Sequence, residues 1–368
     1  MNDSVTPPPT KRLYSLDAFR GATIALMVVV NTAGDGRHTY APLEHAEWHG
    51  WTITDVVFPS FLWIVGVAMT FSLAKRVAQG VPKGRLFLQI LRRAAILYCL
   101  GLVLYGFPYY HLDTLRLLGV LQRIAICYAA ASAIYLTTSI RGQLLWIGGL
   151  LVSYWMLMML VPVPGYGAGH LDVERNLAHY VDWHVLGSHN YAHTKTWDPE
   201  GIVSTLPAIA TALFGIMAGH VLRLKRDFAE RTVWLFVAGN ALIFAGLVCN
   251  QWLPINKKLW TSSFSLFMAG LDFVLFAGFL WFIDRLGYRR WARPFEIMGM
   301  NAITIYLASE FLDPILELVG WRAPLYHALA APFASPYNAS LAWALLYTAL
   351  MFVIAWILYR KHWSFAVR

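Results

Sequence analysis

Apolar residues in this chain come in long blocks separated by short polar stretches. Ten of the blocks approach the roughly 20 residues that an α-helix needs to cross hydrocarbon. They lie near 17–33, 52–73, 86–106, 115–137, 141–161, 201–222, 233–253, 260–283, 296–318 and 340–359. The pattern predicts an all-α fold, a polytopic transmembrane helical bundle of about ten spanning helices. It is expected to form a single domain over 1–368, with a polar tail at 1–14 and a long external connection at 162–200. Pro59 in the second block and Pro207 in the sixth fit this picture, because neighbouring helices or cavity water satisfy the backbone groups that proline frees.

Composition strengthens the membrane reading. The chain is 58% hydrophobic and only 13% charged, against about 25% charged residues in an ordinary soluble domain. The net charge of +9 comes from basic clusters between apolar blocks, which is a topogenic pattern and not a nucleic-acid surface, so no nucleic-acid partner is expected. Of the 29 lysines and arginines, four (Arg20, Arg92, Arg93 and Arg123) fall inside blocks. Seven (Arg37, Arg116, Arg175, Lys195, Lys257, Lys258 and Arg322) lie on one side, and the other eighteen lie on the side of the N-terminus. The positive-inside rule then puts both termini in the cytoplasm. Residues 1–11 lack the apolar core of a cleavable signal, so the first span is expected to insert and stay. Cys99, Cys127 and Cys249 all sit in apolar segments and suggest neither a disulfide framework nor a zinc site.

The connection between the first two blocks is where the chemistry gathers. It holds Asn31, Asp35, His38, Glu44, His45, Glu47, Trp48 and His49, and His45 is the candidate reactive centre. Imidazole, with an ordinary pKa of about 6.5, suits proton transfer at neutral pH. The alternative is an interfacial histidine that favours the headgroup region. A metal site is not expected: the sequence reads His-Ala-Glu-Trp-His, not His-Glu-x-x-His, and no downstream Pro-Cys-x-x-Cys follows. Thr52-Ile53-Thr54-Asp55 opens the second block as a near capping box. Compatible with that cap is a functional reading, in which Asp55 holds an imidazole in one tautomer or receives a substrate ammonium. Asn31 ends the first block either as a helix cap or as a donor to an oxyanion.

Charged and amide side chains also interrupt the apolar blocks: Asp17, Arg20, Arg92, Arg93, Arg123, Asp272 and Asn301. Charges at such depth cost at least about 2.5–3.5 kcal/mol each, so they face a cavity or one another. Two readings follow, an electropositive channel for an anionic ligand or ion pairs between helices using Asp17 and Asp272. The connection 162–200 is rich in His, Gly, Trp and Asp, shows no obvious periodicity, and reads as a lid or binding loop.

Several ordered motifs resemble the heparan-alpha-glucosaminide N-acetyltransferase family over nearly the whole chain. They are SLDAFRG (15–21), the Asn31 end of the first span, HAEWHG (45–50) with DVVFP (55–59), LGVLQRIAICY (118–128), WDPEGIVSTLPAIATALFGIMAG (197–219), PINKKLWTSSF (254–264) and GMNAITIY (299–306). The resemblance implies that acetyl-CoA on the cytoplasmic side donates its acetyl group, across the membrane, to the amine of a glucosamine unit. It implies His45 as the catalytic histidine and Asn31 as an assisting residue; Asp55 joins them as a catalytic candidate on its own position. Arg92, Arg93, Arg123, Arg20 and Asn301 are then expected to bind the CoA, the basic side chains taking its phosphates near the cytoplasmic mouth. Glu44, Trp48, His49, Trp197, Asp198 and Glu200 are expected to meet the sugar. His49 stands where the family often has Asn.

The implied setting is the inner membrane of a bacterium, with acetyl-CoA and an amino sugar as small-molecule partners, the lipid bilayer around the chain, a homodimer as a further expectation, and no metal. The rivals are a membrane O-acyltransferase of surface polysaccharide and a sugar transporter. The second is disfavoured because no internal repeat of the kind many transporters carry is visible.

Overall fold

A computed structural model of the chain describes residues 13–363, so most of the polar tail, with Lys11 and Arg12, and the terminal Arg368 lie outside the described residues. The described chain is a helical bundle with no strand. Its thirteen α-helices are α1 (Tyr14–Asn31), α2 (Ile53–Ala78), α3 (Lys83–Gly106), α4 (Val120–Thr137), α5 (Ile140–Leu160), α6 (Leu177–Leu186), α7 (Thr205–Leu222), α8 (Phe228–Cys249), α9 (Ser262–Phe279), α10 (Arg293–Met300), α11 (Ala302–Leu318), α12 (Arg322–Ala330) and α13 (Pro336–Arg360). A π-helical turn, Leu280–Arg285, prolongs α9.

Eight helices are long and apolar enough to cross a membrane: α2, α3, α4, α5, α7, α8, α9 with its extension, and α13. The chain is therefore a multi-pass membrane protein. Two further blocks of the sequence are helical but fall outside that set. α1 carries Asp17 and Arg20 in its first half. The block at 296–318 is broken at Asn301, which joins α10 to α11 with non-helical backbone angles.

Helices approach closely where the chain has glycine. Gly66 of α2 and Gly215 of α7 face each other, and a Cβ on Gly215 would lie 2.0 Å from the Trp63 carbonyl oxygen. Gly21 of α1 meets α10 in the same way, with an added Cβ 1.7 Å from the carbonyl oxygen of Phe295. Small residues at such crossings let backbones pack tightly where lipid supplies no hydrophobic drive between helices. The core between these contacts is apolar and aromatic, with Trp63 set against Phe273 and Phe276. Pro59 is tolerated inside α2; the next residue, Ser60, donates to the Val56 carbonyl and to the buried Asp272 of α9. Asp272 thus pairs with a hydroxyl and not with an arginine.

The connection 162–200 has more structure than its sequence suggests. Asn176 accepts from the His179 N–H at 2.8 Å and starts α6. Leu177 and Ala178 then pack with Val163, Tyr154, Leu253 and Leu259. Of its histidines, His184 bonds the Tyr180 carbonyl one turn back, while His189 reaches the Leu115 carbonyl before α4.

Candidate active site

Asp55 organises the N-terminal end of α2. Its side chain is 1% exposed, while that of His45 is 44% exposed. Asp55 Oδ2 accepts the backbone N–H of Thr52 at 3.0 Å, which serves the helix cap, and that of Ala46 at 3.1 Å, which pins the incoming loop. Its Oδ1 lies 2.6 Å from His45 Nδ1. The capping and imidazole-orienting readings of Asp55 are both satisfied, because the carboxylate has an oxygen for each.

With Nδ1–H donated to Asp55, His45 presents Nε2 as the free lone pair, and Lys257 Nζ lies 3.4 Å from it. Lys257 comes from the loop between α8 and α9. That loop is held against the first one by the Gly50 N–H, which donates to the Ile255 carbonyl at 2.7 Å, and by Asn256, whose amide approaches His49 Nδ1 at 3.4 Å. Burial lowers the pKa of His49, in keeping with a neutral ring accepting that amide. Burial likewise pulls Lys257 below the usual lysine value, against the opposing pull of Glu200 and Asp55. Neighbouring Lys258 donates to the Glu47 carbonyl.

The 162–200 connection reaches the same junction. Trp48 donates its indole N–H to the Leu171 carbonyl at 2.8 Å and meets Trp197 edge to face at 5.5 Å. Asp198 and Glu200 are buried, and both pair with Arg116, which also lies over the rings of Tyr105 and Tyr191. Burial works to raise the Glu200 pKa, but Arg116 and Lys257 outweigh it and hold the carboxylate below its usual range. Trp197, Asp198 and Glu200 are thus committed to packing and ion pairing at the junction. The Glu44 side chain is exposed, and its carbonyl takes the Thr52 hydroxyl.

Asn31 is not bonded to this cluster. Its amide donates to Glu310 of α11 at 3.3 Å. Below it opens a cavity of about 330 Å³ between α1, α2, α3, α4 and α11, lined by Arg20, Met27, Phe61, Arg93, Tyr128 and Asn301 among others. Both amide atoms of Asn301 and the Nε of Arg93 are buried without a hydrogen-bond partner among the described residues. Arg20 there donates to Asp17 at 3.1 Å and to the Gly299 carbonyl at 3.3 Å. Such unsatisfied buried polar atoms beside an apolar hollow suit a long, thin ligand with amides and charge. Phe61 at the upper wall is six residues along α2 from Asp55, about 9 Å of helix rise.

Two expected ligand residues lie elsewhere. Arg92 is exposed and does not line the cavity. Arg123 is fully buried on the other face of α4, donating to the Gly201 carbonyl and the Ser204 hydroxyl and lying over the Trp260 ring. The reason is helical phase: Val120, Leu121, Ile124 and Tyr128 face the hollow, and Arg123, about 100° from Ile124, faces α7. Sequence reasoning assigned no role to Lys257, Arg116 or Glu310. The signal for Lys257 is its place in the motif PINKKLWTSSF (254–264). Among the described residues no group of His, Cys, Asp or Glu is arranged to hold a metal ion.

Comparison with known proteins agrees with the motifs. The profile described as heparan-alpha-glucosaminide N-acetyltransferase, catalytic, matches residues 12–247, a stretch that includes Asn31, His45, Asp55, Arg116 and Glu200. The human protein named heparan-alpha-glucosaminide N-acetyltransferase (Homo sapiens) is 30% identical over 414 aligned residues, covering 97% of this chain and 60% of its own length. The mouse protein of that name (Mus musculus) is 28% identical over 406, covering 95% and 60%. The chain thus spans about three fifths of the length of these relatives. On the profile match and on identity carried across almost all of its residues, the chain belongs to the heparan-alpha-glucosaminide N-acetyltransferase family.

Proposed function

We propose that the chain is a transmembrane N-acetyltransferase that moves the acetyl group of acetyl-CoA to the amine of glucosamine or a glucosamine-containing sugar. The observation that carries this reading is the Asp55–His45–Lys257 alignment at one end of the bundle, together with a largely apolar hollow between α1, α2 and α4 that holds Arg20, Arg93 and Asn301. The distribution of lysine and arginine supports placing the hollow's far mouth in the cytoplasm and His45 on the opposite face of a bacterial inner membrane.

Acetyl-CoA fits as a donor substrate whose charged end stays near Arg20 and Arg93 while its thin arm lies along the apolar wall toward Asn31. The acceptor amine approaches from the loop side. His45 Nε2 then takes the ammonium proton, so the amine attacks the thioester, or takes the acetyl group first and passes it on. In both routes Asp55 fixes the tautomer, and the Asn31 amide, which donates to Glu310 at 3.3 Å, is assigned to the oxyanion. The C–S bond breaks and CoA leaves as its thiol.

The test is to incubate the purified protein in detergent with acetyl-CoA and either glucosamine or glucose. The proposal expects N-acetylglucosamine and free CoA in equal amounts from glucosamine alone. No acetylated product would leave the transporter reading, and equal acetylation of glucose would make the chain an O-acyltransferase.

A further inference from the structure

We propose that Lys257 is the proton carrier of this site, taking from His45 Nε2 the proton that the acceptor amine loses. The inference rests on the acetyltransferase reading above and adds a residue to it. His45 Nδ1 is occupied by Asp55 at 2.6 Å, so only Nε2 can exchange protons during turnover. The side chain against Nε2 is Lys257, with Nζ at 3.4 Å.

Proton balance requires that one proton leave the site in each turnover. The acceptor begins as R–NH₃⁺ and ends as R–NH–acetyl, so two protons leave its nitrogen as the N–C bond forms. One ends on the CoA sulfur after the C–S bond breaks, and the other leaves as H⁺. His45 can hold that second proton once per turnover, and it must lose it before the next acceptor binds. In the proposed role Lys257, in its amine form, receives it from Nε2, 3.4 Å away, and hands it on toward solvent.

The surroundings of Lys257 act on its proton in both directions. Burial favours the neutral amine, as do the nearby charges of Lys258 and Arg116, while Glu200 and Asp55 favour the ammonium. A lysine held only by carboxylates would stay charged and would merely cap the lone pair. Position on a loop anchored through Gly50–Ile255 fixes the amine in reach of Nε2.

The experiment compares Lys257→Arg and Lys257→Met with the wild-type protein in detergent, using acetyl-CoA and glucosamine. Arginine keeps the charge and the contact but does not release its proton. Both variants are expected to lose about 10²-fold in kcat, the lower range for general acid–base catalysis, with KM for acetyl-CoA unchanged. Trimethylamine, a tertiary amine that forms no stable amide, should restore the Lys257→Met rate in proportion to its concentration. Wild-type kcat should rise with pH as Lys257 loses its proton, and this limb should vanish in both variants. Full activity in Lys257→Arg, an unrescued Lys257→Met, or a wild-type kcat flat with pH would each overturn the carrier role while leaving the acetyltransferase reading intact. Absence of N-acetylglucosamine with the wild-type protein would remove that reading, and the carrier role with it.

Discussion

Replacing Asp55 by Asn removes one charge and turns one acceptor into a donor where three partners converge. The carboxylate accepts from His45 Nδ1 at 2.6 Å and from the backbone N–H groups of Ala46 and Thr52 at 3.1 and 3.0 Å. An amide has one oxygen for these three donors. If that oxygen stays on the two N–H groups, the amide NH₂ faces His45 Nδ1 and forces the proton onto Nε2. The lone pair that the mechanism needs is then gone. If the amide flips, its NH₂ meets two backbone donors at a nearly inaccessible position. Hydrogen bonds to a charged group contribute about 1.5–3 kcal/mol each, so a drop in stability of that order is expected from the cap. The rate loss should be larger, approaching the ~10⁴-fold that follows when a carboxylate orienting a catalytic histidine becomes an amide. Initial rates of N-acetylglucosamine formation, with thermal unfolding of the detergent-solubilised protein as the control, measure both. A folded Asp55→Asn protein working within tenfold of wild type would refute the tautomer argument.

Other perturbations address the scaffold and the donor site. Gly215→Ala places a methyl group 2.0 Å from the Trp63 carbonyl and should destabilise the α2–α7 pair by about 1–3 kcal/mol. Gly148→Ala on α5, where a Cβ meets nothing within 4 Å, is the neutral control in the same melting assay. Arg93→Ala should weaken acetyl-CoA binding about tenfold, close to 1.4 kcal/mol, whereas Arg92→Ala, lying off the hollow, should leave it nearly unchanged in a direct titration. Burial raises the pKa of Asp182 on α6 from 3.8 to about 6, while its oxygens accept the N–H groups of Ile202 and Asp198. An acid with a raised folded pKa contributes stability below its unfolded pKa and loses it as pH rises through the folded one. Proteolytic protection of residues 176–204 should therefore fall between pH 4 and about 6 on account of this group, and hydrogen exchange of the Asp182→Asn protein should lack that component.

Much of the fold was legible because lipid demands long apolar helices, and eight of the ten blocks became helices long and apolar enough to cross. The break at Asn301 was not, because apolar residues continue on both sides of it and only the backbone turns. The short helix α6 was hidden in a polar connection, although Asn176 before an apolar run was a readable cap. At the candidate site, His45 and Asp55 were readable because they lie only ten positions apart, one in the loop and the other in the first turn of α2. Arg116 with Glu200 was not, being a pair 84 residues apart that only folding brings together. Arg123 shows the limit of counting buried charges without phase: one position along α4 from Ile124, it faces α7 and serves as a strut.

The central claim is that His45 performs the transfer at the loop end while acetyl-CoA is held in the hollow. Measuring acetyl-CoA binding and acetyl transfer to glucosamine on the same His45→Ala preparation tests it most directly. The account predicts binding close to wild type and a rate at least 10²-fold lower. A folded His45→Ala protein that still makes N-acetylglucosamine at near the original rate would contradict it.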